Sequence, residues 1–524
     1  MIKRWFSLDS ADAKATALPE RIVDQLKHKN LDALRDWLGD LLRNNPAAPE
    51  WEYVVQAARG YSWTAEEIGK LEIFGCYYRG DLAQAQQRAL RYLQDGRYDP
   101  ELLIVAAYSL YHMGRFENAY ETLRMLREQD VAKLQHPDHV LMAALICQAA
   151  NQLEEMKGFI DSACLQLPDD PGVAANAYGM YFELGETDAW MRLRDEFKQG
   201  CYPIQEISFA MGTIELALGN YAEGFKLLEM RYGLPQARNH INHALFDRPR
   251  WQGEPLAGRT LLVTAEQGLG DIIQMSRYLS WLERLGAKRV LMEVQPAALS
   301  LLEHNFSGVG FVEGRHGICP AVEFDCWTGS LSLAHLYGTT ASNIPGKNKY
   351  LCSPPESTSY WSQRVKQLTR SNRKRVGLAW SGQPAHLADR RRSIPAGKVF
   401  EIIHRIDANF FALQTSVPAA RPANLLDLSE ELVTLSDTAA LIAEMDLVIT
   451  VDTSVVHLAG ALGKETWLLL PYRYEWRWGL EGEDNHWYDS VKVLRQPRHD
   501  DWDSLLEEVF GRRLPLRAGK HKEE

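Results

Sequence analysis

Asp452, Thr453, Ser454 and His457 have the types and spacing to hold an anion. At the start of a helix the backbone N–H groups lack partners and stand at the positive end of the dipole, so a phosphate fits there, with short polar side chains capping or lining the first turn. His457 follows Thr453 by four residues and Ser454 by three, which places it on their helix face, within reach of a nucleotide at a strand's carboxyl edge. The plainer alternative is that Asp452 caps a helix and His457 is a satisfied core histidine. Arg390, Arg391 and Arg392 form a second group: three adjacent guanidinium groups can neutralise a diphosphate bidentately, or form a solvated loop. A third runs from Ala265 to Asp271. Glu266 and Gln267 can hydrogen-bond sugar hydroxyls or satisfy a turn, Gly268 and Gly270 feed a helix, and Asp271 is well suited to cap it.

Parallel strands are needed to bring these groups to one edge. Leu447–Val451 and Thr466–Leu470 are short apolar runs with β-branched residues, as buried strands should be, and a helix beginning at Asp452 is expected between them. Thr260–Thr264 is another such run, followed by an expected helix over 272–285. Strands over 289–294 and 308–312, alternating with a helix from Pro296, make this segment a βαβ domain. A polar hinge over 353–359, a helix over 360–368 and a basic, solvated run over 370–375 lead to a strand over 376–380. It opens into the long loop that carries His386 and the arginines, and loops at strand carboxyl ends are where α/β folds bind ligands. A strand over 410–414 ends in Gln414 on the same edge, and Asp437 to Ala440 open a helix that can face a nucleotide base. Asp501, Trp502 and Asp503 read as the capping turn of a last amphipathic helix rather than as a metal-ligand pair.

The first half has a different period. From about Leu18 to Tyr232 apolar residues recur with helical spacing, and strand signals are nearly absent. Gly80 and the residues after it, Asp81, Leu82, Ala83, Gln84 and Ala85, repeat as Gly114, Arg115, Phe116, Glu117, Asn118 and Ala119, and 114 − 80 gives a spacing of 34. Gly185 and Gly219 repeat it, the stretch around Asn151 is offset, and an earlier pair over 22–45 turns at Asn30 to Ala33. Glycine ends one helix in a tight turn while small alanines let paired helices approach. The pattern resembles tetratricopeptide repeats, whose stacked units present a surface for a peptide or protein partner.

The chain has 524 residues, 46% hydrophobic and 24% charged, enough for roughly three domains. A formal net charge of −11 and pI near 5.8 exclude a general nucleic-acid binder or polybasic membrane anchor. The N-terminal residues lack an apolar signal-peptide core and no apolar stretch approaches a membrane span, so a cytoplasmic location is expected. Seven scattered cysteines, with no C-x-x-C pair, indicate neither a zinc site nor a disulfide framework.

The run DTSVVHLAGALGK from Asp452 resembles the donor-nucleotide motif of GT-B glycosyltransferases of the heptosyltransferase type. LLVTAEQGLGD, ending at Asp271, resembles the same families, in which this aspartate lies in the interdomain cleft as base for the acceptor hydroxyl. GLAWSGQPAH, ending at His386, the D-R-x-R-S-x-P pattern with Arg390 and Arg392, and the run from Tyr474 to Trp478 complete a likeness to glycosyltransferases with tetratricopeptide repeats. The implied fold is an N-terminal α-solenoid over 1–235, a linker over 236–258, and a GT-B pair of Rossmann-like α/β domains over 259–352 and 353–513, with a disordered tail over 514–524. The implied activity is sugar transfer from a nucleotide-sugar to Ser/Thr hydroxyls of a protein recruited by the repeats. In members of this group that protein is flagellin, modified in the cytoplasm before export.

Asp271 and His386 are then the catalytic candidates, His386 touching the leaving phosphate or the acceptor. Gly270, Gln267, Arg390, Arg392, Gln414, Asp452, Thr453, Ser454 and His457 are the donor-binding ones, with no metal or cofactor expected. Two rival readings are a glycan or lipopolysaccharide transferase and a repeat scaffold with an inactive transferase domain. The repeats and the aromatic run near the carboxyl end depart from ordinary heptosyltransferases, which puts a lipopolysaccharide acceptor in doubt.

Overall fold

The computed structural model describes residues 18–45, 48, 50–94, 99–233, 246–314, 321–369, 373–384, 386–473 and 475–514. The N-terminal segment, much of the expected linker, Tyr474 and the tail beyond 514 lie outside these residues. The chain divides into two compact units. One comprises Met1–Pro168 with Pro384–Arg390, the other Asp169–Gln383 with Arg391–Glu524.

The described residues of the first unit are helical apart from loops. Ala65–Tyr78 pairs with Leu82–Gln94, Pro100–His112 with Phe116–Gln129, and Pro137–Ala149 with Leu153–Gln166. Local signals explain the boundaries. Asp99 precedes Pro100, and its side chain accepts the Leu102 N–H at 3.1 Å, an N-cap followed by a proline whose missing N–H costs nothing there. The turns within the pairs need left-handed backbone, supplied by Gly80 and Gly114 at φ 81° and 72° and by Asn151 at φ 58°. The offset at Asn151 has a cause: a four-residue helix, Val131–Leu134, is inserted before Pro137, so 151 − 114 gives 37 instead of 34.

The helical pattern continues into the second unit as Pro171–Leu184 with Thr187–Lys198 and Ile204–Ala217 with Tyr221–Leu228, turning at Gly185 and Gly219. These two pairs thus share a unit with the α/β half. Among the described residues ten strands follow: β1 (Thr260–Thr264), β2 (Arg289–Val294), β3 (Val309–Glu313), β4 (Cys326–Gly329), β5 (Lys374–Ala379), β6 (Ala408–Ala412), β7 (Leu425–Leu426), β8 (Leu447–Val451), β9 (Thr466–Leu470) and β10 (Val491–Arg495). They form two wholly parallel sheets, ordered β3-β2-β1-β4 and β10-β9-β8-β5-β6-β7. Each is wound outward in both directions from its first strand, so the order reverses between β1 and β4 and between β5 and β8. Crevices for ligands open at the carboxyl ends of such strands. The strands are apolar on both faces because helices cover both: every residue of β8 is buried, and β5, β6 and β8 share a core with Trp502, Val509 and Phe510 from the last helical segment.

Several expected boundaries move. The helix after β8 is Ser454–Ala461 with Thr453 as N-cap, so it does not begin at Asp452. The expected helix over 272–285 is Leu269–Ser276 followed by shorter turns, and the supposed hinge is helical from Pro355. Of the basic run, residues 370–372 lie outside the described residues and Arg373 is exposed, but the last two residues are half-buried in a strand. Lys374 and Arg375 begin β5 in register with Ala408 and Asn409, and Arg375 pairs with Asp446 at 2.8 Å. β5 and β6 stop short of Trp380 and Gln414 because the Gln414 side chain takes the Trp380 N–H at 3.0 Å in place of a ladder bond. β4, β7 and β10 are short or lie beside polar loops, and periodicity alone did not indicate them.

The helical pairs of the second unit join the first sheet through buried chemistry. Arg231, in the turn Glu229–Gly233, donates to both oxygens of Glu266 at 3.0 and 2.9 Å and to Ser332 at 2.9 Å. Glu266 also accepts the Leu331 N–H at 2.9 Å. It is therefore committed to holding the turn. Tyr221 and Phe225 meet Trp487 and Trp476 edge-on beside it.

Candidate active site

Two helix starts converge within the second unit. Leu269–Ser276 begins at the carboxyl end of β1, and Ser454–Ala461 begins at the carboxyl end of β8. They touch where Gly270 lies against His457: a Cβ on Gly270 would stand 2.7 Å from the imidazole Cδ2. Glycine is thus required by close approach, and its place is at the contact between the helices. Gln267, in left-handed backbone at φ 61°, turns the chain from β1 into the first helix with its side chain exposed.

Asp271 is not the N-cap itself. It is the third residue of the helix, and its Oδ2 accepts the N–H of the capping Gly268 at 2.9 Å. Its Oδ1 accepts from Arg477. Arg477, buried, also donates from Nη1 to Glu475 and from Nε to Gln274 Oε1 at 2.6 Å. The remaining Gln274 donor, Nε2, has no acceptor among the described residues. One guanidinium therefore orients two carboxylates and one amide, and removing it would leave those carboxylates unpaired, a loss of about 3–5 kcal/mol. Burial pushes the Glu475 carboxyl up to about 7, against the pull of Arg477 and with Asp452 and Asp271 pushing the same way.

On the β8 side the Thr453 hydroxyl accepts the Val455 N–H at 3.3 Å, and the first turn of the helix opens onto the crevice between β5 and β8. Ser454 is the first residue of that turn and partly exposed. Asp452 is buried, and burial raises its carboxyl above the usual range although Arg477 and Arg392 pull it down. Arg392 donates to the Asp452 carbonyl at 2.8 Å, which brings one guanidinium of the arginine triplet to this edge. His457 is buried with Nδ1 3.0 Å from the Tyr488 hydroxyl and Nε2 4.0 Å from Asp452 Oδ1. Burial, with Arg477 and Arg277 nearby, holds its imidazole well below the usual pKa, hence neutral.

Other candidates have different employment. Arg390 pairs with Glu117 and donates to the Ala150 carbonyl at 3.3 Å, and Arg391 pairs with Glu183. His386 is exposed, its Nδ1 accepting the Ala388 N–H at 3.2 Å. His386 and Arg390 belong to the segment Pro384–Arg390, which packs with the N-terminal unit. Gln414 is buried, its Oε1 accepting from Trp380 and Ser381 and its Nε2 donating to the Ser381 hydroxyl at 2.8 Å, so it braces the loop after β5. Asp437 closes a capping box with Thr434, in a helix that begins at Leu435 rather than at Asp437.

Arg477, Glu475, Gln274, Arg277 and Tyr488 were not among the expected site residues. A signal existed for two of them: Asp271, Gln274 and Arg277 fall at intervals of three along an otherwise apolar helix, one polar face against the periodicity. Arg477 carries no such mark, because Gln274 and Asp271, which it joins, lie 203 and 206 residues away along the chain.

Comparison with known proteins agrees with the β8 half of this site. Residues 431–469, spanning β8, its helix and β9, match the model of glycosyltransferase family 9 (heptosyltransferase). Protein FlbA of Caulobacter vibrioides is 27% identical over 390 residues, 67% of this chain and 62% of the relative, so the chain spans less than two thirds of that relative's length. Among solved structures, E. coli ADP-heptose LPS heptosyltransferase II has 13% identity and a TM-score of 0.35 over 48% of this chain and 96% of its own. A Thermobaculum terrenum O-GlcNAc transferase mutant has 10% identity and a TM-score of 0.36, over 87% of this chain and 88% of its own. The helix start that carries Asp452, Thr453 and His457 thus lies within the stretch that matches the glycosyltransferase family 9 (heptosyltransferase) model.

Proposed function

We propose that the chain is a glycosyltransferase that moves a sugar from a nucleotide-sugar to a Ser/Thr hydroxyl of a protein, using a GT-B pair of α/β domains. The observation that carries this reading is the convergence of Asp271 and the helix start at Thr453 on one crevice within a single compact unit. In the reaction, the acceptor oxygen forms a bond to the anomeric carbon as the bond from that carbon to the phosphate oxygen breaks, its electron pair leaving on the diphosphate. Asp271, oriented by Arg477 and by the Gly268 N–H, takes the acceptor proton on a free lone pair. Arg392 and the N–H groups at Ser454–Ala461 stabilise the negative charge that develops on the leaving group. These cations and dipoles do what a divalent metal does elsewhere, so transfer is expected to survive chelation.

A protein acceptor is favoured over a glycan because two helical pairs pack in the same unit as the site, joined to the β1 edge by Arg231 and Glu266. Flagellin is the acceptor to test first, with tetratricopeptide-type repeats as its recruiting surface and the cytoplasm as the place of reaction. Among the described residues no helix is long and apolar enough to cross a membrane.

Thermal unfolding with UDP, ADP, GDP and CMP tests the donor site. Ligand at about a hundred times its dissociation constant stabilises by about 2.7 kcal/mol, which shifts the transition by several degrees. Asp271→Asn should retain the shift while transfer falls about 10²-fold or more. No shift with any nucleotide overturns the reading, and unchanged transfer removes Asp271 from the mechanism.

A further inference from the structure

Resting on the donor-site reading above, we infer that Tyr488 and Arg277 are positioning residues that fix His457 as the Nε2–H tautomer, making it a hydrogen-bond donor to the leaving group and excluding it as a base. The imidazole is held between unlike surroundings. Among the described residues the hydrogen-bonding neighbour on its Nδ1 side is the Tyr488 hydroxyl, at 3.0 Å. Behind that phenol sits Arg277, buried, its guanidinium 4.7 Å from the Tyr488 ring centre, 4.9 Å from that of Tyr350 and 5.1 Å from that of Trp487. Arg277 forms no ion pair among the described residues. It donates instead to the Trp487 and Gln274 carbonyls, at 3.0 and 2.9 Å, and to the Tyr350 hydroxyl at 3.5 Å.

Counting protons assigns the directions. Tyr350 spends its single hydroxyl proton on the Ile273 carbonyl at 2.9 Å. With that proton spent, the hydrogen bond that the geometry gives the Tyr488 hydroxyl among the described residues is the one to Nδ1, which offers the phenol's own proton an acceptor. Tyr488 therefore donates to His457, and Nδ1 accepts. The neutral ring must then carry its proton on Nε2, the nitrogen that faces Asp452 at 4.0 Å, where a carboxylate favours it. Sterics keep the arrangement in place: Gly460 lies so close to the Tyr488 ring that a Cβ there would fall 2.5 Å from it, and Gly270 abuts the imidazole from the other helix. The result is a preset N–H beside the first turn of Ser454–Ala461, with no lone pair left to take a proton from an acceptor.

Selective ¹⁵N-histidine labelling of the full chain, with His457→Gln to assign the signal, reads this directly. The expected spectrum of the unliganded protein shows His457 Nε2 as a protonated, pyrrole-type nitrogen and Nδ1 as pyridine-type. In Tyr488→Phe the Nδ1 acceptor role is lost, the tautomers mix, and nucleotide affinity falls about tenfold, the equivalent of one neutral hydrogen bond. A protonated Nδ1 in the native protein overturns the inference, and so does an unchanged tautomer in Tyr488→Phe. Should that variant fail to fold, the native spectrum decides by itself. The tautomer is measured without nucleotide, so its failure is separate from that of the transferase reading, which absence of nucleotide binding by the native chain would overturn.

Discussion

A guanidinium shared by two carboxylates sets what each can do. Arg477 holds Asp271 and Glu475 at once, one from the first turn of Leu269–Ser276 and the other lying two residues before Arg477 in the chain. Glu475 provides a pH test. Its carboxyl is raised from 4.5 to about 7, so the native state binds the proton more tightly than the unfolded chain does. For a raised carboxyl, burial costs nothing while both states are protonated. The destabilisation grows as pH rises from the unfolded value towards the folded one and is complete above it. Glu475→Gln, which cannot ionise, should therefore gain on the native protein by on the order of 3 kcal/mol between about pH 4.5 and pH 7 and hold that gain above it, in urea titrations across the range. A stability difference that does not change with pH would show that folding does not raise the Glu475 carboxyl. At this scale the types at 452–457 and 271 were legible, because helix-start chemistry is local. Glu475 and Arg477 were visible only as part of an aromatic run, since their partner lies on another domain.

At the scale of elements, the contact of Leu269–Ser276 with Ser454–Ala461 depends on Gly270, and the turn Glu229–Gly233 on the ion pair of Arg231 with Glu266. Arg231 is buried and Glu266 more so, with 5% and 2% of their surfaces exposed. Removing one partner leaves the other charge unpaired away from water. Arg231→Met should lower stability by about 3–5 kcal/mol, and the further change Glu266→Gln should recover most of that loss, in chemical denaturation. Equal losses in the single and double variants would mean that packing, and not the charge, holds the turn. Strands β8 and β9 and strand β1 lie where their apolar runs predict, because a parallel strand buried on both faces writes itself as an uninterrupted apolar stretch. β5 began earlier than expected because its first residues are charged, and β7 is two residues long. Neither feature has a periodic signature.

At the scale of the whole molecule, the helical pairs do not all belong together. The compact unit that holds the crevice begins at Asp169, not at the start of the α/β half. A fragment from Asp169 onward should unfold cooperatively and bind nucleotide. One from Trp251 onward loses Arg231 and exposes Glu266, Trp476 and Trp487, which Tyr221 and Phe225 otherwise cover. It should melt several degrees lower or aggregate, as differential scanning calorimetry and size-exclusion chromatography would show. Equal melting of the two fragments would make the last helical pairs dispensable to the fold of the α/β half.

Sequence alone determined what depends on neighbours along the chain. It marked the parallel strands by their apolar runs, the 34-residue helical pairs by glycine at the turn, and the helix start at 452–457 by short polar side chains beside a strand end. Those features are local because backbone conformation and capping are decided within a few residues. Tertiary structure decided the rest: which one of three arginines stands at the crevice, that Gln414 braces a loop, that Glu266 is an anchor, and that His457 is a neutral ring bound to Tyr488. Charge, burial and protonation are properties of groups brought together from distant positions, and spacing along one chain does not carry them.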